Sequence, residues 1–597
     1  MSKKIQTKSH EQINRERLLK LLDDSRSGER INETDLAALS IEERLWLVQR
    51  LPLREKANLI ISSPDPMLLL KMLSPQEVYL IVRESWGQDA ALILEMSTPD
   101  KIVRVMDIDI WRKDRINYKR FMEWLELIAV GGDRSLTKTL FCLDPPLMVL
   151  FFKGIIEVIS RNIDQDPLEM LDGGFYSIDT MYYFRPINSE LDFEMIIKLL
   201  SSFFEIEPEF YKIIMEGVIG QLPSPMEEEA YQLRSSRMVM SGFPEFYEAR
   251  EILLYKDSET IKREMTDEIG KVILQDENQK VELPPSYWLI PSEGGGLIED
   301  LLDEIGSSRG DGTILWELSY LVHKLVAAQG SELADTQQIL SSVVMAKDYL
   351  NLGLDILVNG NRDEGKRVLE DYYLQNIFRL GYSRALEVKK RAEGTFSRLE
   401  KIINPVFWGN EARDLIDALS GRRPFFYGCV DGEIDEYKNF SSMREIDFIE
   451  RFLVELEVKI NMVSNLVTIP VEIESYLSKN APVNNWGIET IFLTAFVRRC
   501  IAGMWEVIPH SDEDLKKYYD VLKANRGEIE EAKGEVKGEI QRLSGVGESD
   551  DSMNIIEKFV LGAYKNLESE LLAINDQSGI DPRFIACLIT VGKSSVD

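Results

Sequence analysis

Residues 96–128 of the chain have the sequence MSTPDKIVRVMDIDIWRKDRINYKRFMEWLELI, and this stretch decides the fold class. Thr98 precedes a proline, and a hydroxyl residue followed by proline is typical of the first turn of a helix. Further along, Phe121, Leu125 and Ile128 recur at helical spacing, which places them on one face of a second helix. The stretch therefore predicts short amphipathic helices that must bury their apolar faces against neighbours.

The same kind of helix start recurs along residues 41–159. A capping residue followed by proline occurs at Ser63, Ser74, Thr98 and Asp144. The segments 62–65 and 97–100 superpose with an offset of 35 residues, within the range of helix-pair repeats. We predict a mainly all-α fold, a multi-unit helical superhelix or helix-pair array.

Two stretches depart from helical spacing. GGFYSIDTMYYFRP (173–186) alternates glycine, β-branched and aromatic residues, which predicts a small β-hairpin near residues 172–187. We expect a second hairpin near residues 422–434. Strands should be confined to these hairpins.

Changes of pattern along the chain predict five regions. A loop-rich stretch with Pro284-Pro285 and three consecutive glycines separates two helical parts, and the sequence NGNRDEGKRVL (359–369) resembles the turn and second helix of a tetratricopeptide-like hairpin. The regions are a polar N-terminal segment (1–40), an α-superhelical domain containing the hairpin near 172–187 (41–275), a linker (276–313), a tetratricopeptide-like helical region (314–400) and a C-terminal helical domain (401–597).

Two family resemblances extend this interpretation. Residues 51–110, which begin LPLREKANLIISSPDP, resemble the superhelical cytoplasmic N domain of MgtE-type magnesium transporters. The resemblance implies a helical superhelix but not transport, because we expect no membrane segment after the repeats. The stretches 96–128, 247–257 and 378–393 are similar to an uncharacterised bacterial family of full-length proteins, of delta-proteobacterial type, labelled as a domain of unknown function. That resemblance implies no activity.

Composition argues against several classes of protein. The chain has 70 Lys and Arg against 102 Asp and Glu, a formal charge of −32, so we expect no nucleic-acid binding, because Lys and Arg drive that affinity. The apolar runs 140–159 and 487–508 contain charged residues, which argues against membrane insertion. Four scattered cysteines and the lack of a secretory signal pattern predict a cytoplasmic protein.

The sequence contains few recognisable catalytic or metal-binding motifs. His10, His323 and His510 are too far apart for a local zinc motif, and we interpret His323, inside an apolar run, as a core histidine. No nucleophile elbow and no phosphate-binding loop is recognisable in the sequence. We therefore assign no catalytic residue and expect no cofactor.

Three carboxylates form the most distinctive polar cluster. Asp107, Asp109 and Asp114 lie within eight residues and are candidate oxygen ligands for Mg²⁺ or Ca²⁺. The alternative interpretation, which we favour, places Asp107 and Asp109 at the end of one helix and Asp114 at the start of the next, with Trp111 packed beneath.

These observations favour a helical scaffold or protein–protein interaction protein with a protein partner. The first alternative is a Mg²⁺-responsive regulatory protein, which the magnesium-transporter resemblance and the acidic balance motivate. An enzyme assembled from carboxylates distant in sequence is a further alternative. The sequence specifies no oligomeric state.

Overall fold

The computed structural model describes residues 17–24, 31–161, 174–187, 192–220, 222–267, 282–291, 295–307, 312–330, 334–430, 433–524, 527–545, 550–572 and 585–591. These residues are mainly helical, which confirms the predicted fold class. Within them, strands occur only as three two-stranded antiparallel sheets. The chain divides into two compact units, Met1–Arg379 and Leu380–Asp597.

The first unit contains most of the short helices. They are α1 (Glu33–Ala37), α2 (Ile41–Arg50), α3 (Leu53–Ile61), α4 (Pro66–Met72), α5 (Pro75–Glu84), α6 (Gln88–Met96), α7 (Pro99–Asp109), α8 (Tyr118–Val130), α9 (Asp133–Leu140), α10 (Pro145–Ile155), α11 (Phe193–Ile206), α12 (Pro208–Gly220), α13 (Pro223–Met240), α14 (Phe246–Arg250), α15 (Ser258–Asp267), α16 (Leu297–Ser307), α17 (Gly312–Ala328), α18 (Thr336–Val358) and α19 (Arg362–Asp371). Residues 17–24 are also helical, and Glu251–Leu253 and Ser286–Leu289 form 3₁₀ turns.

Helix α20 (Leu374–Leu399) spans the boundary between the units. The second unit continues with α21 (Asn410–Ser420), α22 (Met443–Leu466), α23 (Val471–Asn484), α24 (Ile488–Ala502), α25 (Asp512–Ala524), α26 (Gly527–Gly545) and α27 (Asp550–Leu572), and with a 3₁₀ turn at Pro405–Phe407. Helix α24 is the centre of this unit, because α25, α26 and α27 all pack on it.

Helices begin directly after Ser74, Thr98 and Asp144, as predicted, whereas Ser63 is not a cap, because the helix that follows it begins at Pro66 after Asp65. The Ser74 side chain accepts a hydrogen bond from the Glu77 N–H at the start of α5, and the Thr98 side chain accepts one from the Lys101 N–H at the start of α7. In each case, the hydroxyl satisfies an N–H group that has no partner within the helix. The helices then pack pairwise, α3 on α5 and α6, α5 on α7, and α6 on α8.

One small sheet was not predicted. Strand β1 (Trp111–Arg112) pairs with β2 (Arg115–Ile116) directly after α7. Asp114 therefore lies in a β-turn, so the prediction that it starts a helix is wrong. The next helix begins after Asn117, whose side chain accepts from the Arg120 N–H.

The second sheet corrects the hairpin predicted near 172–187. Strand β4 (Tyr182–Pro186) pairs with β3 (Ile156–Ser160), in a stretch whose sequence predicts helix. In β3 the buried residues Ile156 and Val158 alternate with the exposed Glu157 and the half-buried Ile159, which is the period of a strand. Inside the predicted hairpin only Tyr176 pairs, through one bridge to Phe184, and residues 172–173 lie outside the described residues.

The third sheet confirms the second predicted hairpin. Strand β5 (Phe426–Val430) pairs with β6 (Glu433–Lys438), with an irregular register near Gly428. This sheet packs on α21 and α22 in the second unit.

Candidate functional site

The first unit exposes several large apolar side chains along residues 239–255, from the end of α13 to just beyond the 3₁₀ turn that follows α14. Tyr247 is 82% exposed and Met240 is 70% exposed. Exposed apolar side chains that lie close in sequence form a candidate binding surface, because large exposed apolar patches often mark interaction sites. We call it the aromatic surface; its members are Val239, Met240, Phe246, Tyr247, Leu254 and Tyr255.

Buried neighbours hold the aromatic surface in place. Phe243, Ala249 and Ile252 point inward and are at most 7% exposed, and α14 and the following 3₁₀ turn pack on α17. The surface therefore lies on a firmly packed support.

The aromatic side chains contact one another and nearby charged groups. The Phe246 and Tyr247 rings meet edge to face, 5.7 Å between centroids, and the Arg250 guanidinium lies 5.7 Å above the Phe246 ring. Next to them, the hydroxyl of Tyr320 in α17 donates to Glu248 at 2.8 Å. Phe246 thus contacts both Tyr247 and Arg250, whereas Tyr247 stays mostly exposed.

A buried histidine lies beneath this surface. His323 in α17 is 2% exposed, and its Nδ1 is 2.9 Å from the Gly242 carbonyl, to which it donates. Its ring stacks on Phe243 with 3.9 Å between centroids. Burial lowers the pKa of His323 to about 4, so the ring is neutral at pH 7. The interpretation as a core histidine is confirmed.

The first unit also contains a buried ion pair. Lys56 in α3 and Glu77 in α5 form a short ion pair, and both side chains are at most 3% exposed. The Lys56 ammonium also donates to Ser286 Oγ at 2.7 Å. The Ser286 hydroxyl lies 3.0 Å from the Glu77 carboxylate as well, so the network joins α3, α5 and the 282–291 segment.

Two further buried lysines fix the same part of the chain. Lys101 Nζ donates to the carbonyls of Leu70 and Lys71, each at 2.9 Å, and pairs with Glu282 at 3.1 Å. Lys347 Nζ donates to the Trp288 carbonyl at 2.9 Å. Burial lowers the pKa of both lysines.

Residues 282–291, which fall in the loop-rich region predicted from sequence, are therefore held by lysines from three separate helices. The sequence signal for one of them is visible in retrospect, because Lys347 interrupts an apolar run in α18.

The structure separates the three candidate metal ligands. Asp107 accepts from the Arg237 guanidinium at 2.6 and 3.1 Å. Asp109 accepts from Arg120 Nε at 2.6 Å and from Trp124 Nε1 at 2.9 Å. Burial raises the pKa of both carboxyl groups.

Asp114 is exposed in the turn between β1 and β2, while Trp111 is buried as expected. In the part of the chain that the structure describes, no three His, Cys, Asp or Glu side chains are grouped as a metal site. Asp107 and Asp109 instead tie α7 to α13 and α8 through arginines.

The remaining histidines, His10 and His510, are not part of the aromatic surface or of the carboxylate cluster. His10 lies outside the described residues. His510, in the second unit, has its Nε2 2.9 Å from the Thr494 carbonyl, and burial lowers its pKa. Each of the two described histidines thus bonds a backbone carbonyl from a buried position.

No single helix in the described ranges has both the length and the apolar content of a membrane span. The helices α9 and α10 reach those values only when they are counted together, and they are bent by 112°.

These features define a mainly helical protein whose described residues include buried ion pairs and an exposed aromatic surface. Residues 33–591 match the family of unknown function DUF6178. The chain belongs to this family, which confirms the resemblance to an unknown-function family drawn from 96–128, 247–257 and 378–393. Neither the curated proteins nor the solved structures contain a match.

Proposed function

We propose that this protein is a helical scaffold that binds another protein through the aromatic surface. The observation that carries the proposal is the exposure of Tyr247, Met240 and their neighbours on a packed support. Tyrosine and other aromatic residues are enriched at protein interfaces and among the residues that dominate binding energy.

The chemistry of the surface supports a protein as the ligand. Tyr247 and Phe246 offer large rigid faces with few rotatable bonds, and the tyrosine hydroxyl stays able to form hydrogen bonds. The successive short helices α2–α10 support the scaffold character, because stacked helix pairs present extended surfaces while their buried faces serve packing.

Site-specific photo-crosslinking tests the proposal. A benzophenone amino acid placed at Tyr247 in the native cells should give a discrete crosslinked species, identifiable by mass spectrometry. Tyr476, which is 47% exposed in the second unit, provides the control position. Equal crosslinking from both positions would contradict a specific surface.

The identified partner is then purified and titrated against the full-length protein. Tyr247→Ser should weaken binding by about 10-fold or more, as expected for a central interface residue. Tyr476→Ser should leave the affinity unchanged. Unchanged binding of Tyr247→Ser would contradict the proposal.

A further inference from the structure

We infer that the segment that docks on the aromatic surface is a basic amphipathic helix of the partner protein, with apolar residues on one face and lysine or arginine beside them. The inference rests on the proposed function and adds the chemistry of the partner. It follows from the charges that surround the apolar side chains.

The carboxylates around the surface are available to a partner. Glu245 and Glu251 flank α14, and both are exposed. Among the described residues, neither forms an ion pair or a side-chain hydrogen bond. Asp257, just beyond Tyr255, is also exposed, but its carboxylate already accepts a hydrogen bond from the Thr260 N–H at 3.0 Å.

The cations of the same region are already engaged. The Arg250 guanidinium covers the Phe246 ring, and Lys256 is ion-paired with Glu264. The aromatic surface therefore presents apolar faces beside a net negative charge, because Glu245, Glu248, Glu251 and Asp257 outnumber Arg250 and Lys256. A basic partner complements both, because opposite charges at the rim speed encounter and exclude wrong partners.

The net negative charge favours a protein ligand over an anionic membrane or a nucleic acid. An anionic membrane surface attracts basic segments and repels acidic ones, and nucleic acid likewise requires lysine and arginine. A helix with apolar anchors at i, i+3, i+4 and i+7 matches an apolar surface of this kind.

Binding of defined peptides to the full-length protein tests the inference. The probe is a fluorescein-labelled Leu/Lys peptide of about 18 residues, five helical turns, with all leucines on one face. One comparator replaces lysine by glutamate, and another keeps the composition but scrambles the order. Fluorescence anisotropy at about 50 and about 300 mM NaCl gives the affinities and their screening by salt.

Charge-reversal variants make the test specific to this surface. Glu245→Lys combined with Glu251→Lys should weaken binding of the Leu/Lys peptide by about 10-fold at low salt. The matched control combines Glu400→Lys with Glu557→Lys, two exposed glutamates of the second unit, and gives the same change in net charge. The control should change the affinity by less than about twofold, and Tyr247→Ser should weaken binding in both salts.

Three results would overturn the inference. They are equal weakening by the two double variants, equal binding of the scrambled peptide, and equal or tighter binding of the Leu/Glu peptide. If any of these occurs while crosslinking at Tyr247 still captures a partner that Tyr247→Ser releases, the proposed function stands and only the basic character of the partner is wrong. Absence of a specific crosslink at Tyr247 contradicts the proposed function itself.

Discussion

The backbone N–H of Ser286 donates a hydrogen bond to the Glu77 carboxylate, 209 residues earlier in the chain, with an N···O distance of 2.9 Å. The same carboxylate is ion-paired with Lys56, so one buried group joins α3, α5 and the 282–291 segment. A carboxylate with this many charged and polar partners stabilises the arrangement only while all of them remain. Its removal should therefore affect distant parts of the first unit together.

Glu77→Gln should destabilise the first unit strongly. The substitution leaves the Lys56 ammonium buried without its counter-charge, and breaking a buried pair on one side costs about 3–5 kcal/mol. Urea unfolding followed by tryptophan fluorescence measures the loss. Lys212→Ala, which removes a well-exposed cation in α12, is the control and should leave the unfolding midpoint unchanged. An unchanged midpoint for Glu77→Gln would show that the pair carries no stability.

Gly353→Ala should also destabilise the protein, although alanine is the better helix former by about 1 kcal/mol. A Cβ at this position of α18 would lie 2.1 Å from the Ile377 carbonyl oxygen, a backbone atom of α20. Moving two packed helices apart costs about 1–3 kcal/mol or more. Thermal unfolding measures the change.

A second glycine gives the matched control for this prediction. Gly394 is an exposed position in α20, and a Cβ added there would have no atom within 4 Å outside its own stretch of helix. Gly394→Ala should stabilise by about 0.5–1 kcal/mol through helix propensity alone. The same sign of change for both substitutions would contradict the close approach of α18 and α20.

Acidification should destabilise the first unit through His323. Burial lowers the pKa of His323 from 6.5 to about 4. Between these pH values His323 is therefore protonated in the unfolded chain but neutral in the folded chain. Stability is thus full above pH 6.5 and falls as the pH drops toward 4, by about 3 kcal/mol from this residue. His323→Gln, which can still donate to the Gly242 carbonyl, should lose less stability over that window in urea unfolding at several pH values. Parallel pH profiles for the two proteins would rule out the assignment.

Local chemistry made much of the fold predictable. The starts of α5 and α7 follow from a capping hydroxyl before a proline, and the buried face of α8 follows from the helical spacing of Phe121, Leu125 and Ile128. These signals lie within a few residues of the structure they specify. The pairing of β3 with β4 was missed, because the partner strand lies outside any local window.

The candidate site was less predictable from the sequence, because it depends on which face of each helix packs against the rest of the unit. The spacing of YEAREILLY in 247–255 is compatible with burial of Tyr247 or of Ala249 and Ile252, and only packing on α17 decides which. The partners of Lys56 and Lys101 are similarly remote, because Ser286 and Glu282 come from a segment that looks like a linker in sequence.

Magnesium should stabilise the protein no more than a monovalent salt does at matched ionic strength. If Mg²⁺ bound only the folded protein through Asp107, Asp109 and Asp114, a concentration of 100 times its Kd would stabilise the fold by about 2.7 kcal/mol. The structure argues against this effect, because arginines already occupy the carboxylates of Asp107 and Asp109. Thermal unfolding in MgCl₂ and in NaCl measures the difference, which we expect to be zero.

Two variants separate specific binding from general screening of the −32 charge. Asp109→Asn should lower stability in both salts, since it weakens the contacts to Arg120 and Trp124, but it should leave the difference between the salts at zero. Asp114→Asn, in the exposed turn, should change neither quantity. A Mg²⁺-specific stabilisation that Asp109→Asn abolishes would contradict this expectation and favour a cation-responsive regulator, since a bound divalent ion would then have displaced the arginine from the carboxylate.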